Sequence, residues 1–374
     1  MPLDTAATWS APGRVNLIGE HTDYNDGLVL PIALPQRTHA RVSLRDDGIL
    51  EVSSTAAPGV VRVPVAQIGP EAPGGWASYV AGVVWALRGA GHEVPGLTVH
   101  ITSDVPVGAG LSSSAALECS VAAALSDLLG LGLLADDAGR AELGRLCQLA
   151  ENEVAQAPTG GMDQAIAMRG RAGHALFLDC RDGSARQVPF DPEAHGLRLL
   201  VVDTRAKHAL VDGQYAARRT ACIEAAQTLG VPSLRSADPA DVEARLTGTA
   251  RQRARHVVTE IQRVRECVEA LGHGDFARVG AAFVASHESL RDDFEVSCIE
   301  LDTVVDAALG AGAWGARMTG GGFGGSAIAL LPAASADAVV AAVAEAFDLR
   351  GFDPPTAFFV APGPGAGADL AERG

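Results

Sequence analysis

The stretch PVGAGLSSSAALE, residues 106–118, decides how this chain is read. Before it lies GLTVHIT, residues 96–102, whose alternating apolar and polar side chains mark a strand; after it, residues 113–129 are rich in alanine and leucine and predict a helix. Between them Gly108 and Gly110 allow a tight turn, and Ser112, Ser113 and Ser114 open the helix. Free backbone N–H groups, hydroxyls and the positive end of a helix dipole therefore converge on one point. One serine is enough to cap a helix, whereas three in a row fit an anion cradle, with phosphate as the expected anion. A GxSxG hydrolase elbow is not matched, because the closing glycine is absent. A Walker A loop is excluded too: Lys207 is the only lysine among 29 basic residues, and any Schiff-base chemistry would have to rest on it.

Working outward, 374 residues suffice for one large domain or two ordinary ones. Apolar residues at 48% and charged ones at 20% are those of a globular protein. Twenty-nine basic against 45 acidic residues leave a net charge of −16, which would repel a nucleic-acid backbone. The start of the chain has no basic segment followed by an apolar one, and no apolar run reaches the length of about 18 residues that a membrane helix needs. A cytoplasmic protein with no nucleic-acid or membrane partner is expected. The six cysteines form no CxxC pair and read as reduced core thiols.

Two further glycine-rich stretches carry chemistry. GRVNLIGEHTDYNDG, residues 13–27, sets Arg14, Glu20, His21 and Asp23 among glycines, a composition suited either to a solvated turn or to holding hydroxyl groups between carboxylate acceptors and cationic donors. MTGGGFGGSAIALL, residues 318–331, has five glycines around Phe323, more than a hairpin turn needs, and fits a loop that approaches a ligand with its backbone. Between the second and third stretches, Glu151 falls near the end of an amphipathic helix and Asp163 follows a Pro-Thr-Gly-Gly break. A carboxylate such as Glu151 with a serine hydroxyl is the smallest oxygen set for Mg²⁺ that keeps its waters and phosphate ligands. The residues taken alone lead to a nucleotide-using phosphotransferase without a Walker lysine.

Strands are expected at residues 39–45, 96–102 and 197–204, helices at 76–87, 113–129, 138–157, 213–230 and 239–272, and a last strand pair at 326–331 and 356–360 with a helix between them. Arg251, Arg253, Arg255, Arg263 and Arg265 read as a solvated helix face, and the tail from residue 361 as frayed. The change of pattern near residues 190–205 divides the chain into an N-terminal domain, 1–200, and a C-terminal domain, 201–374.

These motifs, in this order and spread over nearly the whole chain, resemble the galactokinases of the GHMP small-molecule kinase superfamily. GRVNLIGEHTDY is similar to the galactokinase signature, which mevalonate and homoserine kinases do not share; the GLSSSAA and GGGFGG loops are similar to the superfamily's phosphate and C-terminal glycine motifs. The resemblance implies a two-domain α+β fold with ATP and sugar in the cleft between domains, and transfer of the γ-phosphate of ATP to the anomeric hydroxyl of α-D-galactose by a monomer. It implies Asp163 as base beside Arg14, and Glu20, His21, Asp23, Gly160 and Tyr215 around the other hydroxyls. It also implies Gly108, Gly110 and Ser112 to Ser114 around the phosphates, Ser114 and Glu151 on Mg²⁺ with Ser113 as a close alternative, and Trp76 at the adenine. Thr159 departs mildly from the cysteine or serine often found there. An N-acetylgalactosamine kinase shares the signature, and a catalytically silent sugar and ATP sensor is the alternative from another class, although silent relatives are altered in the serine motif that stands complete here.

Overall fold

The computed structural model describes residues 6–70, 72–157, 159–206 and 211–369, so Lys207, Pro158 and the last five residues lie outside it. The N-terminal half opens with β1 (Ala6–Asn16), β2 (Leu28–Val29), β3 (Pro31–Arg45), β4 (Ile49–Ser54), β5 (Ala57–Pro64), α1 (Ala77–Gly89) and β6 (Gly96–Ser103). It continues through α2 (Ser113–Leu128), α3 (Asp137–Glu153), α4 (Met162–Arg169), β7 (His174–Asp179) and β8 (Ala185–Pro189). The C-terminal half comprises β9 (Leu197–Asp203), α5 (Val211–Leu229), α6 (Pro239–Arg245), α7 (Gly248–Gly272), α8 (Phe276–Asp292), α9 (Ile299–Gly310), β10 (Gly315–Thr319), β11 (Ser326–Pro332), α10 (Ala336–Arg350), β12 (Thr356–Val360) and β13 (Gly367–Ala368).

Among the described residues the strands form three sheets, ordered β13-β1-β3-β6-β4-β5, β10-β11-β9-β12 and β2-β7-β8. Residues Leu199 to Val202 are buried on both faces, so β9 takes a central place. The strands at 326–331 and 356–360 do not pair with one another as expected: each pairs with β9 instead. The expected domain boundary after residue 200 also needs correction, because it cuts β9, which pairs as a whole with the C-terminal sheet. The end of the chain is likewise not frayed through residue 369. β13 adds an edge to β1, and Asp369 accepts hydrogen bonds from Ser10 Oγ at 2.7 Å and from His39 Nδ1 at 2.6 Å.

Helices α1, α2 and α3 close one apolar core over the large sheet, with Leu50, Val52, Val84, Val99, Leu125 and Leu146 inside. The second core belongs to the C-terminal sheet and α7 to α10, yet it also takes in Val15, Leu17, Ile18, Leu28 and Leu30. The segment following β1 is thus inserted into the other half's hydrophobic core, at about 25 cal/mol per Å² of apolar surface removed from water. This insertion fixes the loop that carries the charged residues. Among the described residues no helix is long and apolar enough to cross a membrane. The six cysteines are free.

Candidate active site

Asp163 occupies the first turn of α4, where the helix dipole favours a carboxylate. Arg14 grips it bidentately, Nε to Oδ1 at 2.8 Å and Nη2 to Oδ2 at 2.9 Å, while its Nη1 donates to Gly110 O at 2.6 Å. A bulge between Pro12 and Arg14 in the β1–β3 pairing accompanies this turn of the arginine toward the serine loop. Ser112 Oγ also donates to Asp163. Ser112 stands at the N-cap of α2 in left-handed conformation, φ +59°, following Gly110 at φ +72°, and makes no side-chain cap bond. Its hydroxyl serves Asp163 instead, leaving the first N–H groups of α2 without a side-chain acceptor and oriented for an anion.

A cavity of about 740 Å³ opens beside Asp163, its wall including Arg14, Asp23, Tyr79, Glu151, Tyr215 and Gly321. Gly160, which does not itself line this cavity, lies so close behind Asp23 that a Cβ on residue 160 would lie 2.2 Å from Asp23 Oδ2. A side chain at residue 160 would have to displace the Asp23 carboxylate. Burial, then the neighbouring Asp163 carboxylate, push the Asp23 carboxyl up to about 6. Tyr215 packs against His21 at a tilt and against Tyr24 edge to face, with ring centroids 5.4 and 5.8 Å apart. Burial lowers His21 to about 3, so the ring is neutral. The network assigns Nε2–H to the Gly321 carbonyl at 3.2 Å and makes Nδ1 the acceptor of the Tyr24 hydroxyl at 2.8 Å.

Glu20 reaches the cavity wall but is held by the protein. Its Oε2 accepts from Asn16 Nδ2 at 2.9 Å and from Arg317, and its Oε1 accepts from Gly320 N at 3.0 Å and Thr319 Oγ1 at 3.2 Å. Arg317, fully buried, also donates Nη1 to the carbonyls of Asn16 at 3.1 Å and Leu17 at 2.9 Å. Behind them Glu260 accepts from Gly19 N at 2.9 Å, Ser286 Oγ at 2.6 Å and Arg263 Nε at 2.7 Å. Burial raises Glu260, but Arg263 and its other partners outweigh it and hold the carboxyl at about 2. His256 Nε2 lies 3.1 Å from the carbonyl of Glu20. Sequence reading missed this seam, and it also misplaced Arg253, which is buried and paired with Glu295 instead of solvated.

The residues expected around a metal also come together. Burial raises the Glu151 carboxyl to about 7, outweighing the Ser114 hydroxyl, which sits close enough to lower it. The pair fits a divalent cation that takes its other oxygens from phosphates and water. No cluster of three His, Cys, Asp or Glu side chains suited to a metal occurs among the described residues. Trp76, at the N-cap of α1, packs against the N-terminal core and does not line the cavity; Tyr79 of the same helix does. A second cavity, of about 780 Å³, borders β13, where Arg37 and Arg140 are committed to the carbonyls of Met168, Pro364, Gly365 and Ala366.

Comparison with known proteins matches residues 3–44 to the galactokinase galactose-binding signature, 78–171 to the GHMP kinases N-terminal domain and 267–349 to the GHMP kinases C-terminal domain. A galactokinase of Streptomyces coelicolor is 54% identical over 96% of this chain and 93% of its own, and one of Mycobacterium tuberculosis 46% identical over 96% and 98%. The crystal structure of Lactococcus lactis galactokinase complexed with galactose superposes with a TM-score of 0.91 at 33% identity, covering 98% of this chain and 95% of that one. A mevalonate kinase at 17% identity and TM-score 0.66 shares the fold. With identity at this level along almost its entire length, and with both superfamily domains and the galactose-binding signature in place, the chain belongs to the galactokinases of the GHMP kinase family.

Proposed function

We propose that this chain transfers the γ-phosphate of ATP to the anomeric hydroxyl of α-D-galactose, giving ADP and α-D-galactose 1-phosphate. The observation that carries the reading is the Asp163 carboxylate, which lines the cavity and is gripped by Arg14 and by Ser112 at the uncapped N-terminus of α2. Asp163 accepts the proton of the C1 hydroxyl as that oxygen bonds to the γ-phosphorus and the bond to ADP breaks. Arg14 offsets the charge that develops on the transferred group. Gly108, Gly110 and the amides of Ser112 to Ser114 cradle the phosphates. Asp23, Gly160 and Tyr215 hold the sugar, with Glu20 and His21 shaping the wall through their bonds to the glycine loop. Ser114 and Glu151 would hold Mg²⁺, which neutralises phosphate charge when bound. The same reading makes the chain a cytoplasmic enzyme acting on two small molecules.

A coupled assay of ADP release tests it across galactose, N-acetylgalactosamine, glucose and mevalonate. Turnover of galactose above the other three supports the proposal. Preference for N-acetylgalactosamine replaces the substrate, and binding of galactose and ATP without ADP release makes the chain a sensor.

A further inference from the structure

Three buried polar side chains from three helices meet behind the cavity wall: Glu118 of α2, Glu151 of α3 and Gln164 of α4. Gln164 Nε2 donates to Glu151 Oε2 at 2.5 Å and to Glu118 Oε2 at 3.2 Å. A primary amide nitrogen carries two hydrogens, and here each goes to a different carboxyl, so the plane of the amide is set by two helices at once. The backbone of Gln164 is pinned as well, its carbonyl lying 3.8 Å from Cys119 Sγ.

The surroundings are apolar. Cys119, Ala122, Leu143, Cys147, Ala150 and Ala167 belong to the core that encloses this group. Glu118 and Gln164 are fully buried, and the Oε1 atom of each has no hydrogen-bond partner. An unpaired buried acceptor costs about 1–3 kcal/mol. Apolar side chains of like volume would pack the three helices without that cost, so folding does not account for the amide and the two acids. Function does: Gln164 directly follows Asp163, and the carboxylate it holds, Glu151, lines the same cavity as Asp163 and neighbours the Ser114 hydroxyl.

We propose that Gln164 is a positioning residue for phosphoryl transfer: its amide, braced by Glu118, fixes the Glu151 carboxylate toward the divalent cation and ties the cation's place to that of the adjacent Asp163. This rests on the reading of Ser114 and Glu151 as the cation-holding pair. Consecutive residues of one short helix then serve the two reacting ends, Asp163 the acceptor hydroxyl and Gln164 the phosphate charge.

The test measures Mn²⁺ binding to the protein–ADP complex by electron paramagnetic resonance, and galactose binding by calorimetry without nucleotide. Gln164→Met should weaken Mn²⁺ binding by about tenfold, the lower end of what removing a group behind a metal ligand costs. Galactose affinity should change by less than about twofold, since the amide faces away from the sugar. Glu118→Met should weaken Mn²⁺ in the same direction, whereas Glu118→Gln, which keeps an acceptor at that place, should restore affinity. Should Gln164→Met not fold, Gln164→Asn, one methylene short of both carboxyls, carries the same expectation. A folded Gln164 variant with unchanged Mn²⁺ affinity overturns the proposal. Glu151→Ala separates the two levels: if it weakens Mn²⁺ and the Gln164 variants do not, only the positioning role falls, and if it leaves Mn²⁺ untouched the metal site falls with it.

Discussion

The loop after β1 has acidic side chains facing two different fates. Toward the C-terminal core, Glu20 and Glu260 are saturated: between them they take donors from Asn16, Gly19, Arg263, Ser286, Arg317, Thr319 and Gly320. Toward the cavity, Asp23 stands against Gly160 with no side chain among the described residues donating to it, and burial and the neighbouring Asp163 carboxylate hold its carboxyl up at about 6. A saturated carboxylate builds the wall, while an undersupplied one gains most from a ligand that brings hydroxyl donors. Motif membership alone does not separate the two, since Glu20 and Asp23 stand three residues apart in one signature.

The sharpest way to break this contrast is at the saturated side. Glu260→Ala leaves Arg263 without its buried counter-charge and the Gly19 N–H and Ser286 hydroxyl without their acceptor, and should cost about 3–5 kcal/mol in urea unfolding. The folded Glu260 carboxyl lies at about 2, below its ordinary 4.5, so its contribution is complete above about pH 4.5 and lost as pH falls toward 2. A stability loss below 1 kcal/mol at pH 7 would mean that the seam holds nothing together. Next comes Asp163→Asn, which should lower kcat at least about a hundredfold with the fold intact. Near-parental turnover of the purified variant would remove Asp163 as the base.

Asp23→Ala probes selectivity. The parent should prefer galactose over glucose by at least about a hundredfold in kcat/KM, because a sugar with its C4 hydroxyl misplaced leaves a charged acceptor unpaired. The variant should lose about tenfold of that ratio through slower galactose turnover, with ATP affinity little changed. Full retention of the preference would shift the reading of C4 to Tyr215. The smallest effect is on sugar-free stability. Asp23 is raised in the folded state from 3.8 to about 6, so its favourable contribution is complete below about pH 3.8 and lost as pH rises through about 6. Asp23→Asn should therefore gain about 1 kcal/mol relative to the parent between pH 4 and pH 8, a partial value because the carboxyl is only half-buried. No gain would place Asp23 with the saturated acids.

The glycine and serine loops were legible because their chemistry is written in consecutive residues. The position of Asp163 beside Arg14 came from the family resemblance, and the partnership of Glu20 with Arg317 came from neither source, since 297 residues separate them. Local composition also misled at Arg253: within a run of arginines it reads as solvated, but the backbone of Asp293 and the carboxylate of Glu295 reach it from beyond α8. Helices α8 and α9 have no counterpart among the sequence-based expectations. Helix α8 was nevertheless written in the sequence: Phe276, Val279, Phe283 and Leu290 are buried along one face at helical spacing, with Gly280 between them set against Trp314 O, where a Cβ would lie 2.4 Å away.

The pairing of β13 with β1 has a consequence for synthesis on the ribosome. Trp9 and Ser10 are made before their partners Ala368 and Gly367, which follow only after the C-terminal half between them has been made. At ordinary elongation rates that is a delay of roughly 20 to 70 seconds. During it the N-terminal sheet has an open edge at β1, and β1 leads directly into the segment that must be buried in the later half's core. A nascent chain of this protein therefore has a long interval in which β1 waits unpaired on one edge, and a chaperone that shields a strand edge would be of most use at β1.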